Sequence, residues 1–151
     1  MVWAVCSLPP VLFSCIGLSG PAAAERVHRL EEQGVIRGFA ALVDPEGVGC
    51  GLAAFIAVTL GRPEHRELFL QKVTEMQEVQ EVQECHHIAG EDDYMLKVRC
   101  RGTKDLERVV SCQIKSVPGV TRTRTTIVMN THKETPAPPV FPEYGVDSSE
   151  R

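Results

Sequence analysis

After residue 50, the hydrophobic and polar positions of the chain follow two different periods. The run Leu52–Leu60 is apolar at nearly every position, which is typical of an inner strand that is buried on both faces. Residues 94–100 instead alternate, so that Tyr94, Leu96, Val98 and Cys100 share one face. Apolar residues at helical spacing recur within 64–76 and again after Thr103, which predicts two amphipathic helices.

Two further segments complete the predicted sheet. Val82–Ala89 is separated from the alternating strand by a polar link of hairpin length, and the β-branched Val120–Met129 predicts a last strand. The order is strand, helix, strand, strand, helix, strand. It predicts an α+β, ferredoxin-like βαββαβ domain, in which an antiparallel sheet carries two helices on one face. We expect a second copy of the chain to cover the other face, giving a homodimer.

A separate helix is predicted over Ser19–Gln33. Ser19 suits the N-cap position, Pro21 suits the first turn, and Gly34 suits the left-handed conformation in which many helices end. The loosely alternating Val35–Val43 then predicts a strand, which ends in a turn at 44–47.

Composition narrows the function classes. The 151 residues suit one domain, or one small domain with an appendage. The formal charge of -4 argues against a generally basic nucleic-acid coat and a polybasic membrane binder, although a local basic face is still allowed. Prolines and glycines interrupt the N-terminal apolar residues, so no run reaches the roughly 18–20 residues of a membrane helix.

The cellular compartment is indicated by the cysteines and by the start of the chain. The six cysteines form no C-x-x-C pair, so we expect reduced thiols in a cytoplasmic protein. The apolar Met1–Cys15 and the alanines at 22–24 resemble a secretion signal, but no Lys or Arg precedes Glu25, and Pro9 and Pro10 break the apolar stretch. A secreted protein whose mature chain begins at Glu25 is the alternative.

The polar segment Gly90–Tyr94 is the best candidate for ligand recognition. Its carboxylates suit an α-ammonium group, and exposed backbone amides suit an α-carboxylate. The alternative is an ordinary acidic hairpin link in water.

Cys85, His86 and His87 are of metal-binding residue types, but adjacent residues on a strand point to opposite faces, so the two histidines do not readily share an ion. No third group that would activate a nucleophile is identifiable. We therefore expect no metal, no cofactor and no catalysis.

Several short segments, in this order and at this spacing, resemble the leucine-responsive (Lrp/AsnC) family of regulators. Those quoted for the N-terminal part are Ile16-Gly17-Leu18-Ser19, Glu25-Arg26-Val27-His28-Arg29-Leu30-Glu31 and Gly34-Val35-Ile36-Arg37-Gly38-Phe39. Those of the later part are Gln83-Glu84-Cys85-His86-His87-Ile88-Ala89-Gly90, Asp93-Tyr94-Met95-Leu96-Lys97-Val98, Pro118-Gly119-Val120 and Thr123-Arg124-Thr125. The resemblance covers Ile16 to about Val140.

The resemblance implies a bacterial or archaeal transcription regulator that binds double-stranded DNA, forms dimers and often octamers, and responds to an amino acid. It makes 19–33 the recognition helix of a helix-turn-helix, whose DNA-binding residues would be Ser19, Arg26, His28 and Arg29. It carries effector binding to Gly90, Asp92, Asp93 and Tyr94, in a hairpin that borders a pocket between dimers.

The predicted organisation has five parts. They are an irregular start at 1–15, a partial helix-turn-helix at 16–38, a linker strand and turn at 39–51, the amino-acid-sensing domain at 52–134 and a flexible tail at 135–151. Only the third helix of the family's DNA-binding domain is recognisable in this sequence. The leading hypothesis is thus a DNA-binding regulator tuned by an amino acid, and the alternative is a sensing and oligomerisation module that has lost DNA binding.

Overall fold

The structure is a computed structural model that describes residues 19–75, 81–136, 138 and 139. The chain divides into two compact units between Val43 and Asp44, and each unit is described by itself. The irregular start predicted for 1–15 and most of the tail predicted for 135–151 lie outside the described residues. Among the described helices, none combines the length and the apolar character that crossing a membrane requires.

The first unit contains the predicted N-terminal helix, α1, at Gly20–Glu32. Ser19 precedes it with an extended backbone, but the capping hydrogen bond expected from its side chain is not made. The Ser19 carbonyl instead accepts a hydrogen bond from the Ala23 amide at 3.0 Å. Gly34 ends the helix with φ 71°, and the amides of Val35 and Ile36 donate to the Leu30 carbonyl. The helix prediction is confirmed, and the glycine accounts for its C-terminal end.

The strand predicted over Val35–Val43 is wrong for this single chain. The structure assigns no helix or strand to 35–51, and Val35, Phe39 and Leu42 are all exposed. An apolar alternating pattern becomes a strand only when another backbone supplies hydrogen-bond partners. This segment finds no such partner within the described residues.

The second unit has the predicted order of elements and confirms the ferredoxin-like α+β fold. Its elements are β1 (Leu52–Leu60), a 3₁₀ turn (Pro63–His65), α2 (Arg66–Glu75), β2 (Val82–His87), β3 (Tyr94–Cys100), α3 (Thr103–Arg108), a π-helical continuation of α3 (Val109–Ile114) and β4 (Val120–Ile127). The sheet order is β2-β3-β1-β4, with every neighbouring pair antiparallel. As its apolar run predicts, β1 is an inner strand.

The hydrophobic core lies between the sheet and both helices. Ala54, Ile56 and Val58 of β1 form its inward row and are fully buried. Phe69 from α2 packs on Tyr94 with ring centroids 4.8 Å apart. The helical side chains of the same cluster are Val73, Leu106, Val109 and Ile114. Burying each large apolar side chain contributes roughly 1.5–3 kcal/mol to the free energy of folding. The contacts on this inner face of the sheet therefore hold the helices against it.

Within the described residues, both helices of the second unit pack on one face of the sheet, and the other, outer face carries neither of them. On it, Ala53, Phe55 and Ala57 of β1 are paired with Arg99, Lys97 and Met95 of β3. Residues 128–134, which follow β4, return over one end of this face, where Glu134 accepts a hydrogen bond from Arg99 at 2.6 Å. A segment of the same chain therefore lies over one end of the face that we expect a second copy to cover.

Candidate ligand-binding hairpin and DNA-facing helix

The link between β2 and β3 is tied to the end of β1. The Ile88 amide donates to the Asp93 carbonyl at 2.9 Å, and the Asp93 amide donates to the Val58 carbonyl at 2.9 Å. The Asp93 carboxylate accepts a hydrogen bond from the Leu60 amide at 2.7 Å. These bonds fix the position of the acidic segment against the sheet.

Asp92 is the one charged residue among the buried residues of the described chain, with 5% of its surface exposed. Its Oδ1 accepts hydrogen bonds from Thr59 Oγ1 at 2.8 Å and from Arg122 at 3.1 Å. Its Oδ2 accepts from Arg124 at 2.6 Å. The hydrogen bond from Thr59, followed by the interactions with Arg122 and Arg124, lowers the pKa of Asp92, while partial desolvation opposes this effect. The carboxylate is therefore held ionised by three donors.

The arginines that Asp92 holds are themselves open to solvent. The side chains of Arg122 and Arg124 are 56% and 61% exposed, while that of Asp92 is 3% exposed. Sequence reasoning did not identify either arginine as a site residue. The sequence contained one signal for them, which is that they lie two residues apart. Residues two apart on a strand share a face, so the two arginines had to lie side by side. Their free guanidinium donors suit a carboxylate or a phosphate.

The structure brings three of the four predicted effector residues together at this end of the sheet, but it gives their side chains internal partners. Tyr94 is buried in the core, between Phe69 and His87. Gly90 is exposed, and a Cβ built on it would meet no atom within 4 Å. The backbone around Gly90 is thus accessible to a ligand, whereas Asp92 and Tyr94 hold the hairpin and the core in place.

On α1, the predicted DNA-binding residues are all exposed. Ser19 lies at the N-terminal end of the helix, and Arg26 and Arg29 are three positions apart, which makes them neighbours on its surface. His28 Nε2 lies 3.4 Å from Glu32 Oε1, an i,i+4 pair in which both side chains are exposed. The residues preceding Ser19 lie outside the described part of the chain, so the supporting helices of a helix-turn-helix are not seen here.

The two histidines of β2 lie on opposite faces, as the strand periodicity predicts. His86 faces outward and lies 2.9 Å from Glu84. His87 lies on the core side beside Tyr94, and its Nε2 accepts a hydrogen bond from Arg66 at 2.6 Å. Burial raises the pKa of the Cys85 thiol, which disfavours the thiolate that a metal or a nucleophilic reaction needs. In the described part of the chain, no three potential ligands are grouped closely enough to hold a metal ion.

Replacing Asp92 with Asn tests the buried carboxylate through its pH dependence. The pKa of Asp92 is lower in the folded chain than the roughly 3.9 of an unfolded aspartate. Its contribution to stability is therefore fully present above about pH 4, and is lost as the pH falls through the lowered folded-state value. We expect Asp92→Asn to lower the urea midpoint of unfolding at pH 7 and to reduce the midpoint's decrease in acid.

Glu91→Gln is the matched control, because Glu91 lies in the same hairpin with an exposed side chain. This variant is expected to keep the wild-type pH profile. If the urea midpoint changed with pH in the same way for wild type and Asp92→Asn, the Asp92 carboxylate would not contribute to stability as described.

Comparison with known proteins agrees with this architecture. Residues 53–138 match the model of the Lrp/AsnC ligand-binding domain. The leucine-responsive regulatory protein of Escherichia coli (strain K12) is 38% identical over 119 residues, which span 79% of this chain and 72% of that protein.

Two solved structures extend the likeness to the fold. A transcriptional regulator from Neisseria meningitidis in complex with L-methionine superposes with a TM-score of 0.78 at 31% identity, covering 87% of this chain and 85% of that one. The feast or famine regulatory protein from M. tuberculosis, complexed with L-methionine, gives a TM-score of 0.71 at 35% identity, covering 85% and 84%. The chain therefore belongs to the Lrp/AsnC family of transcriptional regulators.

Proposed function

We propose that this regulator binds double-stranded DNA through α1 and responds to an amino acid bound beside the β2–β3 hairpin. One observation supports the proposal. The same chain contains a domain that matches the family's ligand-binding model and a helix whose arginines are exposed. Such a protein acts in the cytoplasm of a bacterial or archaeal cell, where its DNA is found.

The DNA contact depends on a local basic surface, because the chain as a whole carries a formal charge of -4. Arg26 and Arg29 would reach base edges, where an arginine hydrogen-bonds guanine through two donors. Ser19 and the first amides of α1 would bind a phosphate, supported by the helix dipole. His28 would add a contact at the same surface. In a helix-turn-helix, a second helical element crosses the DNA backbone and seats the recognition helix in the major groove.

The DNA contact is tested by Arg26→Ala and by a salt titration. The probe is a fragment carrying the region upstream of the protein's own coding sequence, and binding is measured by fluorescence anisotropy. We expect affinity to fall linearly with salt on logarithmic axes, and Arg26→Ala to weaken binding by roughly 1–3 kcal/mol.

Arg101→Ala is the control, because this exposed arginine lies in the second unit. It changes the net charge equally and should leave the affinity unchanged. If the wild-type chain fails to bind the fragment even at low salt, the DNA-binding proposal fails and the stand-alone sensing module remains.

The effector proposal starts from the groups an amino acid presents. Its α-carboxylate suits the exposed guanidinium groups of Arg122 and Arg124, and its α-ammonium suits a carbonyl or a carboxylate. Gly90 would let the ligand approach the backbone closely, and Asp92 and Asp93 would hold the hairpin in its binding conformation. The two L-methionine complexes among the structural relatives favour methionine as the first ligand to try.

Gly90→Val tests the hairpin without disturbing the fold. The new side chain has open space, so the thermal unfolding midpoint should change little, while a ligand in that space would be excluded. We expect isothermal titration with L-methionine to show affinity reduced by roughly tenfold or more.

Gly102→Val is the matched control, since a Cβ there also meets no atom within 4 Å. Equal methionine affinities for wild type, Gly90→Val and Gly102→Val would remove the hairpin from the ligand site.

Self-association is the third part of the proposal. On the outer face of the sheet, Phe55 is exposed, Met95 is half-buried and no helix of the second unit packs there within the described residues. The exposed apolar residues of 35–43 add a second surface that favours burial. An effector that binds one assembly state more tightly than another would shift the equilibrium between them, and with it the occupancy of DNA.

Light scattering at micromolar concentration tests the homodimer. Wild type is expected to have the mass of a dimer or a larger assembly, and Met95→Glu should shift it toward the monomer by placing a charge in the interface. Val48→Glu, at an exposed loop position, adds the same charge and should leave the mass unchanged. A monomeric wild type would contradict the proposal.

A further inference from the structure

Four side chains join the start of α2 to the base of the β2–β3 hairpin. Arg66, the first residue of α2, places Nη2 at 2.6 Å from His87 Nε2. Phe69, three residues later, packs on Tyr94 with ring centroids 4.8 Å apart. His87 and Tyr94 are paired in the register of β2 and β3, and their own ring centroids lie 5.2 Å apart. We call these four residues the hairpin clamp.

The hairpin clamp is continuous with the bonds that fix the acidic link. Ile88 follows His87, and its amide donates to the Asp93 carbonyl at 2.9 Å. Asp93 precedes Tyr94 and is itself bound to β1 through its amide and its carboxylate. Both ends of the link are therefore attached to clamp residues, so a displacement of His87 moves the backbone of the link.

The chemistry of arginine fixes the protonation state of His87 in this bond. A guanidinium has five N–H donors and no acceptor, so Nε2 of His87 has to be the acceptor. An imidazole that accepts at one nitrogen carries its proton on the other and is neutral. Protonation of Nε2 would remove the acceptor and bring a positive charge against the guanidinium of Arg66.

The groups around His87 do not compensate a positive charge on it. Arg66 faces it from α2, and the ring of Tyr94 faces it from β3. The ring of His65, which precedes Arg66, lies against Gly119. The carboxylates of the first turn of α2, of β2 and of the link either bond to other groups or are exposed, and they are Glu67, Glu84, Glu91, Asp92 and Asp93. Among the described contacts, the charge bonded to the imidazole is therefore positive.

We propose that Arg66 is a positioning residue for effector binding, which acts through the neutral side chain of His87, and that protonation of His87 weakens effector binding. The inference rests on the effector site proposed above. An imidazole in water is mostly neutral above about pH 6.5 and mostly protonated below it. The clamp therefore holds the hairpin at neutral pH and loses this hydrogen bond in acid, so that protons and the amino acid oppose each other.

The test is isothermal titration of the full chain with L-methionine at pH 7.5 and at pH 5.5, at constant ionic strength. We expect the wild-type affinity to fall by roughly threefold to tenfold in acid, because a hydrogen bond to a charged group is lost. His87→Gln keeps an acceptor for Arg66 but does not titrate. Its affinity should be nearly equal at the two pH values, and at pH 5.5 it should exceed that of wild type.

Two substitutions of Arg66 separate positioning from packing. Arg66→Ala removes the donor, so its affinity at pH 7.5 should fall to that of wild type at pH 5.5 and should change little with pH. Arg66→Lys keeps a positive charge and an N–H donor. It should restore most of the wild-type pH dependence, which a loss of side-chain packing alone would not do.

Matched controls lie one residue from His87 and four residues from Arg66. His86→Gln removes a histidine that faces the opposite side of β2 and lies 2.9 Å from Glu84. Arg62→Ala removes an exposed arginine that lies 3.3 Å from Glu64. Both variants should keep the wild-type pH dependence of methionine affinity. Circular dichroism checks that every variant is folded at both pH values.

A measurement without ligand separates this inference from the effector proposal. Hydrogen-exchange protection of the Ile88 and Asp93 amides reports on the hairpin. In wild type it should fall between pH 7.5 and pH 5.5 relative to the amides of β1, and in His87→Gln it should not. If the chain binds no methionine at either pH, the effector proposal fails for that ligand. A fall in protection would then still support the clamp.

Three results would overturn the inference. Hairpin protection that is equal at both pH values in wild type would show that His87 does not control the hairpin. A pH dependence that His87→Gln retains, or that His86→Gln removes, would assign it to another group. Lost protection with an unchanged methionine affinity would mean that Arg66 does not position the effector site.

Discussion

The burial of one face of β1 is the constraint on which the rest of the molecule depends. Ala54, Ile56 and Val58 lose all solvent contact against the helices, and a strand has a period of two residues. The alternate residues of β1 are therefore committed to the opposite face, and a shift of one position would expose the whole core row. The antiparallel pairing with β3 then places Met95, Lys97 and Arg99 on that same outer face. The pairing with β4 likewise places Arg122 and Arg124 on the outer face, opposite Thr59 and Ala57.

Two carboxylates stabilise the charges of the outer face in the same manner. At one end Asp92 holds Arg122 and Arg124, and at the other Glu134 holds Lys97 and Arg99. Each carboxylate comes from a segment between or beyond the strands, and each contacts two cations at alternate positions of one strand. The negative charge of each carboxylate offsets part of the electrostatic repulsion between the two cations that it contacts.

The two ends nevertheless differ in what they offer a ligand. Asp92 is nearly fully buried and also accepts a hydrogen bond from Thr59, so it is fixed, and the accessible groups are its arginines. Glu134 is partly exposed on an irregular segment, while its cations are the buried partners. A fixed carboxylate beside solvent-exposed arginines suits a permanent ligand site, because the arginines keep donors for an anionic group.

The sequence by itself determined the order of the elements, the inner position of β1 and the helix at 20–32, because hydrophobic periodicity and helix-terminating residues are local signals. It also marked Gly90–Tyr94 as a polar link of interest. Only the tertiary structure decided that 35–43 lacks a partner strand within the described residues, and that the Tyr94 ring packs between Phe69 and His87. It alone joined Asp92 to Arg122 and Arg124, and Glu134 to Lys97 and Arg99, across 30–37 residues of sequence. The physical reason is that hydrogen bonds and ion pairs act through distances in space, which hydrophobic periodicity along the chain does not encode.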